Sequence, residues 1–228
     1  MSLDAKYLIK LATAAPTLDA RWDDDAWANA EILRINWVHP DSSDAPRPAV
    51  QAKLQYDAAN LYGIYKVDDL SVRATHTAFN SDVCQDSCVE FFFRPGYDRG
   101  PYFNLEMNIG GAYLSFCVKD WTRTPEGFVD FTPLSVEDGK RLGVRSTRPG
   151  VIDPEEFRPQ TWQMRFQIPF AVLEKYLGTQ LGIRSGSRWS ANLYKCADRL
   201  KFPHWMAWQP LGQLNFHQPN YFGTLQFE

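Results

Sequence analysis

"YFNLEMNIGG", residues 102–111, alternates without interruption. Phe103, Leu105, Met107 and Ile109 fall on one side of an extended chain, and Asn104, Glu106 and Asn108 on the other. A side-chain period of two marks a strand with one face in a core. Gly110 and Gly111 then supply a hairpin turn, so a second strand returns alongside. The pattern recurs in "TWQMRFQI" (161–168), where Trp162, Met164, Phe166 and Ile168 share a face opposite Gln163, Arg165 and Gln167. It recurs again in "RWSANLYKC" (188–196), where Ser190, Asn192 and Tyr194 share a face.

Working outward, Pro and Gly punctuate the chain at short intervals, as in a succession of strands joined by turns. Strands are expected near 5–11, 31–37, 49–57, 61–67, 87–94, 102–109, 111–118, 141–147, 161–168, 187–195 and 222–227. "DAAN" (57–60) reads as another hairpin turn. "PFAVLEKYLG" (169–178) reads as a helix, opened by Pro169 and closed by Gly178, with Phe170, Leu173 and Leu177 on one face. "DDDAWANA" (23–30) suits one helical turn. No repeat or linker divides the chain. The expectation is an all-β fold in one domain over residues 1–228: an antiparallel, jelly-roll-like β-sandwich of ten or eleven strands with one short helix.

Composition narrows the partners. Hydrophobic residues at 44% and charged residues at 22% are enough for a sizeable core. A net charge of −3 and a pI near 5.8 argue against nucleic acid and against an anionic membrane surface. No apolar run is long enough to span a membrane, and "MSLDAKYLIK" lacks a basic start followed by an apolar core. Core packing accounts for most of the thirty-three aromatic residues (8 Trp, 10 Tyr, 15 Phe), with an exposed binding platform as the alternative for several.

The polar stripes are rich in amides and charged groups, the paired donors and acceptors that sugar hydroxyls need. A solvated outer face of a sandwich has the same look. "DSCVEFFFRP" (86–95) is the exception to the alternation: Glu90 sits among Val89, Phe91, Phe92 and Phe93. A carboxylate there must be paired or hydrogen-bonded. Its partner is either structural, an Arg or loop amides, or a ligand hydroxyl at the rim of an aromatic pocket.

Chemistry-bearing motifs are sparse. Cys84, Cys88, Cys117 and Cys196 match no zinc spacing, and buried free thiols are the simplest reading; if one disulfide forms, Cys84 is its expected member. Glu90 and Glu106 form the one candidate acid and base pair for glycoside hydrolysis, although paired carboxylates on strands more often bind or support. His39, His76, His204 and His217 stand outside any triad, hydrolase elbow or phosphate loop. No cofactor is expected; Ca2+ is the alternative raised by the carboxylates of "DDD" (23–25) and "VDD" (67–69), which solvated loops explain equally well.

Six segments in order resemble family 9 carbohydrate-binding modules, in particular the stand-alone family 9-like proteins: "WDDDAWANA", "LYGIYKVDD", "DSCVEFFFRP", "YFNLEMNIGG", "WQMRFQIPF" and "FHQPNYFGTLQF". The resemblance covers nearly the whole chain. It implies a β-sandwich that holds a sugar, often at its reducing end, between aromatic side chains beside an acidic residue and amides. It implies non-catalytic carbohydrate binding in bacterial carbohydrate catabolism, alongside glycoside hydrolases, in an extracellular or periplasmic setting.

Carried onto this chain, the acidic binding position is Glu90, the neighbouring polar positions are Glu106 and Asn108, and the later aromatic clamp is Phe216. Asn192, Trp205 and Arg165 join them as expected ligand contacts. Three positions depart from the pattern. Cys84 stands where a Trp clamp is usual, leaving Trp121, Trp205 or Trp208 to supply that wall. Glu106 stands where Arg is usual, and Arg165 where an acid is usual, as in an exchange across adjacent strands. Three other functions stay open at this point. One is an interaction or structural module with a vestigial site. Another is an O-glycosyl hydrolase component. The third is a haem-binding sandwich with Met107, Met206 or His217 as axial ligands.

Overall fold

The computed structural model describes residues 6–17, 19, 21–96, 100–125 and 127–228. Ala5, the first residue of the expected N-terminal strand, lies outside them. The elements run β1 (Lys6–Leu11), β2 (Leu33–Arg34), β3 (Trp37–Val38), β4 (Ala49–Tyr56), β5 (Asn60–Ala74), β6 (Cys88–Pro95), β7 (Tyr102–Asn108), β8 (Tyr113–Thr124) and β9 (Gly127–Pro133). They continue with α1 (Val136–Lys140), β10 (Arg145–Ser146), β11 (Ile152–Pro169), α2 (Phe170–Leu177), β12 (Arg188–Cys196), β13 (Trp205–Ala207) and β14 (Gly223–Phe227).

Two sheets face each other. The first has the order β10-β11-β5-β4, with β2 on β4. The second has the order β14-β12-β6-β7-β8-β9, with β13 on β12 and β3 on β13. β1 joins them: Lys6 to Ile9 pair with β14, then Lys10 and Leu11 pair with β4. A strand that changes sheet is how a sandwich turns a corner.

Alternation places the core. Trp162, Met164, Phe166 and Ile168 of β11 meet Phe91, Phe93, Phe103, Leu105, Met107 and Leu193 of the second sheet in one buried cluster. Phe93 stacks on both Phe103 (5.6 Å) and Trp189 (5.4 Å). Gly63 lies opposite Phe166, whose ring occupies the space a Cβ would need. The helix α2 follows Pro169 and ends at Gly178, whose φ of 68° is left-handed and whose N–H donates to Glu174 O at 2.8 Å. Among the described residues no helix is long and apolar enough to cross a membrane.

The sandwich matches the expectation, with corrections in its count and direction. Fourteen strands form among the described residues rather than ten or eleven, and a second helix, α1, joins the expected one. The strand expected over 31–37 divides, because β2 pairs with the first sheet and β3 with the second. β9 has one buried residue in seven, so no apolar alternation announced it. The pairing is mixed, since β1 runs parallel to both β14 and β4.

Candidate functional site

The outer face of the second sheet carries the polar stripe. Glu90 on β6 stands directly opposite Glu106 on β7 and Tyr194 on β12. Cys88 stands opposite Cys196. The chain after β13 crosses this face, packing Phe216 and Phe222 over Phe92, Tyr102 and Tyr194. Between that crossing segment and the strands lies an open cavity of about 330 Å³. Glu90, Glu106 and Asp198 supply its carboxyl groups, Trp205 and Phe216 its aromatic walls, and Arg123 its basic group.

Each wall is fixed by local chemistry. Phe216 stacks on Tyr194 with centroids 4.1 Å apart and planes 7° apart, and Tyr194 Oη donates to Phe216 O at 3.1 Å. Trp205 Nε1 donates to Asp198 Oδ1 at 2.7 Å. His217 Nδ1 and Tyr102 Oη are 2.7 Å apart, which ties the crossing segment to β7. Asn104 Nδ2 donates to Glu106 Oε1 at 2.9 Å. Cys196 Sγ donates to Glu90 Oε1 at 3.0 Å.

Burial and crowding of like charge raise the acids. Burial first, then Glu106 opposite, pushes Glu90 well above the usual carboxyl range. Burial lifts Glu106 to about 7 against the pull of Asn104. Burial also raises Asp198, in spite of its hydrogen bonds from Trp205 and Cys84. The floor of the cavity is therefore a set of carboxyl groups whose ionisation burial opposes.

Of the expected ligand contacts, Glu90, Glu106, Trp205 and Phe216 line this one cavity. Cys84 lines it too, and of the three tryptophans weighed for the missing wall Trp205 is the one that reaches it. Trp121 instead packs on Tyr102 and Arg94, and Trp208 against the inter-sheet core. Three expected contacts lie elsewhere. Asn108 donates to His76 O and Asp86 Oδ2, both at 2.8 Å, and accepts from Ala112 N, so its amide holds loops together. Asn192 exchanges hydrogen bonds with the backbone of Gln209 at 3.0 and 2.9 Å. Arg165 belongs to β11 in the other sheet, where Nη2 donates to Pro16 O at 2.9 Å. β11 lies between β10 and β5, so Arg165 and Glu106 do not face each other across adjacent strands.

Other expectations are also redrawn. Asp24 caps Ala26 and accepts from Thr17, Asp68 accepts from Thr161, and Asp69 is buried beside Trp162 and Lys195. The carboxylates of Asp24, Asp68 and Asp69 thus already have partners within the chain. Met107 and Met206 are in the inter-sheet core while His217 is on the outer face, so these candidate haem ligands do not converge. All four cysteines are free thiols. Sequence reading missed Arg123, Asp198, Asn215 and His217 as lining residues. Asp198, two residues past a strand end, and His217, one residue past Phe216, were the detectable ones.

The family model described as "Carbohydrate-binding family 9" matches residues 17–227. No curated protein matches. Among solved structures, a putative carbohydrate-binding protein from Bacteroides uniformis ATCC 8492 is 28% identical with a TM-score of 0.81, covering 98% of this chain and 99% of that one. A family 9 module from Caldicellulosiruptor kristjanssonii in complex with cellotriose is 16% identical with a TM-score of 0.61, covering 98% and 94%. The same organism's module in complex with glucose is 17% identical with a TM-score of 0.58, covering 97% and 95%. With a match that spans almost its whole length, the chain belongs to carbohydrate-binding family 9.

Proposed function

We propose that this protein binds carbohydrate without transforming it, as one binding domain over residues 1–228, and that the cavity between Trp205 and Phe216 is the site. The observation that carries this reading is the placement of two aromatic walls over three carboxyl groups in one open cavity. A pyranose ring has an apolar face for an aromatic wall and an equatorial fringe of hydroxyls for acids and amides. One face of Phe216 is already taken by Tyr194, so the sugar stacks on the other. Glu90, Glu106 and Asp198 exchange hydrogen bonds with the hydroxyls, and Arg123 closes the rim. The cavity's size favours one or two sugar rings, such as a chain end, over the middle of a long polymer.

Non-catalytic binding is also the reading the acids support. Glu90 and Glu106 lie side by side on neighbouring strands of one floor, whereas hydrolysis needs an acid and a second carboxylate flanking the scissile bond. The test is isothermal titration against glucose and cello-oligosaccharides with free and chemically reduced ends. Heat that vanishes on reduction of the end supports a slot for the reducing end. No heat with any sugar removes the reading.

A further inference from the structure

The floor of the cavity contains a second constellation. Strand pairing brings Cys88, Glu90 and Cys196 together although Cys196 lies 106 residues from Glu90 in sequence. One donor atom from each lies within 4.8 Å of the others, and all three residues are buried. Cys88 and Glu90 are two apart on one face of β6, and Cys196 is directly across from Cys88 on β12. The Cys196 thiol donates to Glu90 Oε1 at 3.0 Å, and the Cys88 sulfur lies within 4.8 Å of both donor atoms.

The surroundings favour a cation. Three carboxyl groups, Glu90, Glu106 and Asp198, converge on the cavity, and Arg123 is the one basic group among its lining residues apart from His217. Lys195 points to the opposite face of β12, where it meets Asp69 and His204. Two sulfurs and one carboxyl exclude calcium or magnesium, which take oxygen ligands in greater number. They suit zinc and its thiophilic relatives, which accept mixed sulfur and oxygen donors in a tetrahedron. The three donors of this cluster leave a fourth position, and Glu90 and Cys196 both line the open cavity, which gives the ion a way in.

We propose that Cys88, Glu90 and Cys196 bind a thiophilic divalent cation, with Zn2+ as the reference ion, at the floor of the cavity. Both sulfurs bind as thiolates and Glu90 as carboxylate, so loading releases their protons to solvent. The fourth position faces the cavity and takes water or a ligand hydroxyl. This proposal rests on the donor geometry and not on the sugar reading.

The experiment uses the full chain, stripped with a chelator and kept reduced with a non-thiol reductant. Titration with Co2+ is followed by absorbance. The expected result is a near-ultraviolet thiolate-to-cobalt charge-transfer band with tetrahedral ligand-field bands, displaced by Zn2+. Cys88→Ser and Cys196→Ser should each weaken Zn2+ binding by more than the roughly 10- to 100-fold typical of lost outer-shell contacts. Cys117→Ser, whose thiol belongs to the inter-sheet core, should bind as the parent does. Absence of the band in the parent protein overturns the proposal, whatever the variants do. So does a band that survives loss of Cys88 and Cys196. Sugar titrations on metal-free protein are run in parallel: sugar heat without cobalt binding sinks the metal site alone, and cobalt binding without sugar heat sinks the sugar reading alone.

Discussion

Glu90 and Glu106 stand directly opposite each other on β6 and β7, 2% and 5% exposed. Like charges in that register oppose folding, and burial compounds the effect. Each acid has a neutral neighbour instead: Cys196 for Glu90 and Asn104 for Glu106. The pair is costly to the fold, and a ligand that takes hydrogen bonds from both gives it a use.

Glu106→Gln should therefore stabilise the free protein while weakening sugar binding. The amide oxygen keeps the Asn104 hydrogen bond and the like-charge opposition disappears, a gain of about 0.2–1 kcal/mol. Urea unfolding at neutral pH checks it. A lower midpoint than the parent's would show that the carboxyl supports the fold.

Lys195 is fully buried on the inner face of β12. Its ammonium meets Asp69 Oδ2 at 3.7 Å and donates to Cys196 O and His204 Nε2, both at 2.9 Å. Lys195→Ala strands the Asp69 carboxylate in the interior and should cost about 3–5 kcal/mol. Denaturant titration reads this directly. A loss under 1 kcal/mol would mean that Asp69 is satisfied by Trp162 and Leu70 alone.

Gly63→Ala should also destabilise, by about 1–3 kcal/mol, because the Phe166 ring occupies the new methyl's position. Thermal unfolding tests it, with Phe166→Leu as the second change that restores room. No rescue in the double variant would contradict this packing argument.

His217 should make the protein acid-sensitive. Burial first, then the nearby Arg123 guanidinium, holds its imidazole down at about 3, with Tyr102 Oη as hydrogen-bond partner. The unfolded chain takes up a proton near 6.5, so between 6.5 and 3 it binds more protons than the folded one. This stability is complete above 6.5 and drains away as pH falls through the window. Buried His204, held down to about 2 by burial and then by Lys195, acts in the same direction. His217→Gln should flatten the dependence of stability on pH without abolishing it, and an unchanged slope would exclude His217 as its source.

Much of this was legible in the sequence, for a physical reason. The period of two in "YFNLEMNI", "TWQMRFQI" and "RWSANLYKC" reports directly which side chains face a core, so the polar faces could be read correctly. What a period cannot report is which strand lies beside which. Arg165 and Glu106 each sit on a polar face, yet on opposite sheets. Asn108 and Asn192 face the right way, but loops consume their amides. The meeting of Cys88 with Cys196 depends on long-range pairing that no local spacing encodes. β13 is three residues long, too short for a pattern, although it carries the Trp205 wall.

The central claim is that a sugar lies against Phe216 above the Glu90 and Glu106 floor. The direct measurement is calorimetric titration of the parent and of Phe216→Ala with the best-binding sugar of the panel. The account predicts a Kd on the order of 10 μM to 1 mM for the parent. It predicts a loss of about tenfold or more in Phe216→Ala, one stacking contact's worth, with the native fold retained by circular dichroism. Equal affinity in the two proteins would place the sugar elsewhere and contradict the account.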